Sequence, residues 1–333
     1  MSIARRVLCV GLAIAGMPAI AACGSGGTGS APDATVIELP GVSGATDFDD
    51  IVYSPGLHRV LVPAVGGGLD LIDPESGDVT NIGGFETADS ADAGRGLVFV
   101  ADRAAQGIAV VDPQRRRILA TAPTNGPPDY VRYVSATNEL WVTHPGQSPS
   151  GIEVMSLPER ARQAPKPAGF IRVEGGPEAL TLSSDDRLAY THALDGELIA
   201  IDTVARKETG RWPIGCDGAH GFPALDEADQ LVLASCNADG EVSLIDAESG
   251  EQLGHYSGGG GTSLPAYSNA TRHFYIRSDP GEIITTLEGS DEGLRAIGEV
   301  TVPAAGHCLT ADDLGHYWTC DSEAGTILRF SDG

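Results

Sequence analysis

Positive charge is scarce in this chain. Its 333 residues hold 21 Lys and Arg against 46 Asp and Glu, a formal net charge of -25. A balance this acidic repels phosphate backbones and anionic lipid surfaces, so no nucleic-acid partner is expected. It favours solubility and draws in cations or basic partners. Catalytic signatures are missing as well. The sequence has no Cys-x-x-Cys-His for haem, no zinc-finger spacing, no Gly-x-Ser-x-Gly elbow and no His-Glu-x-x-His. Gly258-Gly259-Gly260-Gly261 lacks the Lys-Ser/Thr of a phosphate loop.

Long apolar runs are also absent. Val7 to Ile20 is apolar but short for a membrane span, and Gly16 and Pro18 interrupt it. Arg5 and Arg6 precede it, and Ile20-Ala21-Ala22-Cys23 follows. This order is that of a bacterial lipobox, with Cys23 as the acylated residue. Residues 1–22 are therefore expected to be a signal peptide, and 23–33 a lipidated Cys with a flexible Gly/Ser tether. A diacylated Cys gives stable attachment to a membrane. The alternative is an ordinary secretory signal cut after Ala22.

What the chain does have is glycine, 44 residues of it, together with 21 prolines, as a fold rich in turns requires. The stretch Gly240-Glu-Val-Ser-Leu-Ile-Asp246 reads as a turn, a strand of alternating character and a closing Asp. Its relatives begin at Gly68, Gly107, Gly151, Gly196, Gly281 and Gly325. The intervals between successive anchors are 39, 44, 45, 44, 41 and 44 residues. A period in this range, with strands and no helical pattern, indicates an all-β propeller with one four-stranded antiparallel blade per repeat.

Seven anchors predict seven blades within residues 34–333. The second strands are expected at Arg59–Val62, Gly96–Ala101, Glu139–Thr143, Leu188–Thr191, Gln230–Ala234, His273–Ile276 and His316–Thr319. The inner strand of blade 2, near Ala88–Ala93, has few apolar residues. Blade 7 offers only three strands, whereas Ala34–Leu39 is an extra strand ahead of blade 1. An open ring would leave two exposed sheet edges. Pairing the N-terminal strand onto blade 7 closes it.

With its repeated Gly-x-hydrophobic-x-hydrophobic-hydrophobic-Asp unit, residues 34–333 resemble the YVTN/YncE-like seven-bladed propeller family. The resemblance implies the fold and leaves the activity open. Some similar propellers carry metal-assisted lyase or lactonase chemistry, and others haem- or quinone-linked chemistry.

Two loop sets of a propeller open on one face around the central channel. On this top face the sequence places Asp49, Asp50, Asp129, Tyr130, Glu178, His220 and His307 from the first set. The second set adds Asp102, His144, His192, Asp239, Arg277 and Asp321, among others. From these the candidate ligand-binding residues are Asp129, Tyr130, Glu178, His192, His220, Arg277, His307 and Asp321. Oxygen-rich groups with a few imidazoles suit Ca²⁺, Mg²⁺ or Zn²⁺. No cofactor is expected other than such a divalent cation. Four Cys remain after Cys9 and Cys23, and an exported setting favours disulfides. The start of an inner strand lies beside the end of its antiparallel neighbour, which predicts Cys216–Cys236 and Cys308–Cys320. Metal ligation by these Cys with His220 and His307 is the alternative. On the opposite face, outer turns collect a basic patch of Arg115, Arg116, Arg117, Arg160, Arg162, Lys166, Arg206 and Lys207, suited to an acidic partner or lipid head groups.

Function is expected to be non-catalytic: a lipid-anchored propeller in the cell envelope, outside the cytoplasmic membrane, monomeric, binding a protein or small molecule through its loops. The alternative is a divalent-metal-dependent lyase or lactonase at the top of the channel, with Glu178 and Asp129 as ligands and His220 or His307 moving the proton.

Overall fold

The computed structural model describes residues 34–160, 163–237, 240–258, 261–279 and 281–332. The expected signal peptide (1–22), Cys23 with its tether (23–33), Arg162 and Asp239 lie outside the described residues. Among the described residues all regular structure is β. The first strand is β1 (Thr35–Glu38). Blade 1 follows as β2 (Val52–Ser54), β3 (Arg59–Ala64), β4 (Gly68–Ile72) and β5 (Val79–Ile82). Blade 2 is β6 (Ala88–Gly94), β7 (Leu97–Asp102), β8 (Gly107–Asp112) and β9 (Arg117–Pro123). Blade 3 is β10 (Val131–Val134), β11 (Glu139–His144), β12 (Gly151–Ser156) and β13 (Lys166–Arg172). Blade 4 is β14 (Pro177–Leu182), β15 (Leu188–Ala193), β16 (Glu197–Asp202) and β17 (Lys207–Pro213). Blade 5 is β18 (Ala224–Asp226), β19 (Leu231–Ser235), β20 (Glu241–Asp246) and β21 (Gln252–Ser257). Blade 6 is β22 (Thr262–Ser268), β23 (His273–Asp279), β24 (Ile283–Ser290) and β25 (Gly293–Thr301). Blade 7 is β26 (Leu309–Ala311), β27 (His316–Asp321) and β28 (Thr326–Ser331).

Each blade is a four-stranded antiparallel sheet, and the fourth strand of blade 7 is β1. It pairs with β28 in the register Thr35↔Arg329 to Glu38↔Thr326. The ring is therefore closed as the sequence predicts, with seven blades and the N-terminal strand as the fastener.

The core lies between blades. Side chains of a strand alternate between its two faces, so a strand buried on both sides must be apolar throughout. In β7, Leu97, Phe99 and Ala101 pack against blade 3, whereas Val98 and Val100 pack against blade 1. Seven such clusters fill the seven junctions, the last uniting Val60, Val62 and Ile72 of blade 1 with Trp318 and Ile327 of blade 7. The anchor glycines begin the third strands or lie one or two residues before them. Gly68 and Gly196 adopt φ of 93° and 96°, a region that a Cβ disfavours.

Both expected disulfides are present. Cys216 and Cys236 have Cα atoms 6.0 Å apart, and Cys308 and Cys320 5.9 Å. Bonds of this kind persist in oxidising, extracytoplasmic compartments.

One expectation about strand length fails repeatedly. The second strands β11, β15, β23 and β27 run one to three residues past the ends read from the sequence. Pairing with the third strand sets their true ends: His192 faces Leu198, Arg277 faces Ile284 and Asp321 faces Thr326. Polar residues placed in loops by the sequence thus belong to sheets.

Candidate functional site at the channel mouth

Six polar residues lie at, or up to four residues before, the beginnings of the inner strands. Asp49, Asp89, Asp129, Glu178, His220 and His307 occupy this place in blades 1, 2, 3, 4, 5 and 7. In blades 3 and 5 a second-strand hydroxyl helps to pin the position. The amide of Asp129 donates to Thr143 O at 3.1 Å and that of His220 to Ser235 O at 3.3 Å. The Tyr130 amide donates to Thr143 Oγ1 at 3.1 Å, and Ser235 Oγ donates to His220 O.

Arg103, from the turn between β7 and β8, reaches into the carboxylates. Its Nε donates to Asp89 Oδ2 at 2.5 Å, its Nη2 pairs with Asp129, and the same nitrogen lies 3.6 Å from Asp49 Oδ2. One guanidinium thus ties three blades together. Burial works against its charge, but Asp129, Asp89 and Asp49 outweigh that and raise its pKa. Burial also raises the pKa of Asp89 and Asp129, with Arg103 opposing. The three carboxylates offer oxygens all within 4.8 Å of one another.

A chain of polar groups crosses the rest of the mouth. Glu178 Oε1 lies 3.3 Å from His220 Nδ1. His220 Nε2 and His307 Nε2 stand 3.1 Å apart. His307 Nε2 lies 3.8 Å from Asp49 Oδ1, which accepts a 2.8 Å hydrogen bond from the Tyr130 hydroxyl. Burial pushes Glu178 up to about 8, helped by repulsion from Asp129 and Asp49. Burial likewise pushes Asp49 up to about 7, with Asp89 adding to the shift and His307 opposing it. A cavity of about 560 Å³ opens on this cluster, lined by Phe48, Asp49, Asp89, Arg103, Gly306 and His307.

Beneath it a buried pair spans the channel. Arg132 of blade 3 binds both oxygens of Asp50, at 2.8 and 3.0 Å, and donates to Leu180 O of blade 4 at 3.1 Å. Ser90 Oγ donates to Asp50 at 2.5 Å. The Phe222 ring lies 4.6 Å from the guanidinium carbon and 4.9 Å from the Tyr130 ring. Asp50, Arg132, Leu180 and Phe222 also line a second cavity of about 680 Å³, which reaches turn residues Gly56, Ser184 and Asn269 of the opposite face.

Five of the eight candidates therefore meet at the mouth: Asp129, Tyr130, Glu178, His220 and His307. Three do not. His192 is buried in β15, its Nδ1 donating to Gly221 O at 3.0 Å and its Nε2 accepting from the Ser235 amide at 3.3 Å. Burial holds its pKa down to about 4, so it is a neutral structural imidazole. Arg277 is fully buried in β23, its Nη1 donating to Thr319 and to Cys320 O and its Nη2 to Pro303 O, bracing blade 6 against blade 7. Asp321 caps its own turn through the amides of Glu323 and Ala324. His144 and Asp102 are likewise structural. The His144 ring faces buried Glu153, and Asp102 accepts from the amides of Glu86 and Thr87.

Asp89 and Arg103 were missed. Asp89 sits in Ala88-Asp-Ser-Ala-Asp-Ala93, which carries little apolar signal. Its spacing of 40 residues from both Asp49 and Asp129 was the available clue. In the basic patch, Arg115 pairs with Asp112 at 2.8 Å, and Arg206 pairs with Glu139 and donates to Ala168 O. Arg116, Arg117, Arg160, Lys166 and Lys207 are exposed on three blades.

No family model matches the chain, and no curated protein matches it in sequence. Its fold is similar to that of solved structures. One is a chain of a mitotic checkpoint complex, with 14% identity and a TM-score of 0.74, covering 98% of this chain and 99% of that one. Another is the Myceliophteria thermophila Cps50 (Swd1) β-propeller domain, with 11% identity and a TM-score of 0.71, covering 90% of this chain and 100% of that one. A third is Kuenenia stuttgartiensis hydrazine synthase, with 13% identity and a TM-score of 0.70, covering 89% and 99%. What the chain shares with them is the architecture: it is a seven-bladed β-propeller.

Proposed function

We propose that the chain is an exported, lipid-anchored propeller of the YVTN/YncE-like kind, that it works as a binding or assembly protein, and that it takes its partner at the channel mouth. One observation carries the reading. Six blades bring Asp49, Asp89, Asp129, Glu178, His220 and His307 to equivalent places around one opening. Partly buried carboxylates cost stability, and the inter-blade core does not need them, which is the usual mark of a site kept for its chemistry. The fitting partner is basic or cationic, and Arg103 already demonstrates that a guanidinium sits well among these carboxylates. The ordered lipobox and the two disulfides support an extracytoplasmic setting, and a similar fold serves inside a mitotic checkpoint complex.

The test is affinity purification of the full chain from the envelope of expressing cells. An Asp89→Asn/Asp129→Asn variant is expected to lose a protein that the wild type retains. Replacing Arg115, Arg116 and Arg117 by Glu should leave it bound. Retention by the mouth variant would refute the reading, and absence of fatty-acid labelling at Cys23 would refute the anchor.

A second reading, a metal-assisted lyase or lactonase, is favoured by the run Glu178–His220–His307, whose facing atoms lie 3.3 and 3.1 Å apart, near the reach of proton transfer. Asp129 is engaged by Arg103 and Glu178 by His220, so the proton-moving roles fall to His220 and His307. Turnover of a lactone panel that survives His307→Gln would count against it.

A further inference from the structure

We infer that the face opposite the mouth docks on the anionic head groups of a membrane, so that the mouth points away from the lipid. The inference rests on the proposed anchor at Cys23. Strands of a blade alternate in direction, so the third strands end at the face opposite the mouth. β1 takes the fourth-strand place of blade 7, and exposed Thr35 pairs with Arg329, two residues from the end of β28. The fourth strands of blades 2, 3 and 4 start at Arg117, Lys166 and Lys207, paired with Asp112, Ser156 and Asp202 at the ends of their third strands. Thr35 is thus the blade 7 counterpart of three residues of the basic patch. A tether joined to it leaves from the face that carries the patch. Residues 24–33 reach about 35 Å at full extension, short enough to keep that face near the lipid.

The charges fit this placement. Both lysines of the chain, Lys166 and Lys207, belong to the patch, and they are exposed together with Arg115, Arg116, Arg117 and Arg160. Val204, 55% exposed, lies in the blade 4 turn just ahead of Arg206 and Lys207. An apolar side chain among basic ones enters the head-group layer while its neighbours meet phosphate. The corresponding turns of blades 5, 6 and 1 carry Glu248, Glu251, Asp291, Glu292, Glu75 and Asp78, so the side of the face formed by blades 2–4 is the one that touches lipid. The carboxylates of the mouth do not oppose this. A six-residue strand such as β8 sets the two faces about 20 Å apart. That is roughly two Debye lengths or more at physiological salt, so the lipid responds to the near charges. Each basic residue close to an anionic surface strengthens attachment about fivefold. An acidic protein would dock without needing the patch and the tether on one face, and a lipid surface requires both there.

The acylated full chain is reconstituted into vesicles of phosphatidylcholine alone or with added phosphatidylglycerol, then treated with an amine-reactive reagent that does not cross bilayers. Mass spectrometry reads Lys166 and Lys207. Both are expected to label at least ~5-fold more slowly on the anionic vesicles, and high salt should abolish the difference. The unacylated Cys23→Ser chain should favour anionic over neutral vesicles by at least ~10-fold. Adding Arg115→Glu/Arg116→Glu/Arg117→Glu should remove that preference at an unchanged melting temperature, whereas adding Asp89→Asn/Asp129→Asn at the mouth should leave it intact. Equal labelling on the two lipids, or a preference that survives the Arg→Glu changes, overturns the inference. So does equal labelling on both lipids with protection of the two lysines by a soluble acidic protein, which would make the patch a protein-docking surface. If Cys23 carries no acyl chain but the Cys23→Ser preference holds, the anchor falls and the docking face stands. If Cys23 is acylated and the two lipids give equal labelling, the docking face falls and the anchor stands.

Discussion

Asp50 and Arg132 form a buried ion pair in the channel. Both are buried, and the guanidinium has its carboxylate partner, a backbone carbonyl and an aromatic face around it. Asp50→Ala removes the partner and leaves a buried charge, which costs about 3–5 kcal/mol. Denaturant unfolding should show that loss, and an Asp50→Leu/Arg132→Met double variant should recover much of it. Asp70 behaves differently. Asn81 donates to one of its oxygens at 2.9 Å, and no described group bonds the other. Burial raises its pKa from 3.8 to about 6. The folded chain therefore keeps a proton that the unfolded chain releases between those values, so stability falls as pH rises through that window. Two pH units correspond to roughly 2–3 kcal/mol. Asp70→Asn should flatten urea midpoints between pH 4 and pH 7, whereas an unchanged slope would remove Asp70 as the cause. At this scale the sequence was only partly readable. His220 and His307 stood out because two repeats place them alike. Asp89 was hidden because a polar inner strand looks like a loop, and Arg103 because a lone arginine in a turn gives no sign of where its long side chain ends.

Among elements, the second strands explain most of the differences between expectation and structure. A strand ends where its partner stops pairing, and apolar residues alone do not mark that point. His144, His192, Arg277 and Asp321 all lie past the second-strand ends read from the sequence, and all four are ladder residues instead of loop ligands. Third strands were legible because a glycine opens each and an Asp often closes it. The disulfides were legible because antiparallel neighbours bring the two positions together whatever the loop length. Each closes a short loop, of 20 and 12 residues. In the chain-entropy account each contributes about 3 kcal/mol. Cys308→Ser/Cys320→Ser should lose that much in chemical unfolding. It should also loosen His307, so chemical modification of that ring should speed up relative to exposed His255.

At the level of the whole molecule the ring was evident from counting alone. Seven anchors, three strands in the last repeat and one strand too many at the front admit few arrangements. Ligand identity was not evident, because blades are fixed by repeated apolar positions and the mouth by one residue per blade. Removing residues 34–39 should expose the edge of β28 and leave blade 7 with three strands. The shortened chain is expected to melt earlier and to self-associate in size-exclusion chromatography. An unchanged monomer with the same melting temperature would mean that β1 contributes little to closure.

That pairing also sets an order of events during synthesis. Thr35 leaves the ribosome long before Arg329, its partner 294 residues later. At about 5–20 residues per second the delay is roughly 15–60 s. For that interval the earliest strand is an adhesive end with nothing to hold, which makes it the natural target for a chaperone. A polypeptide halted before its final turn would keep that end exposed permanently and so advertise its own incompleteness.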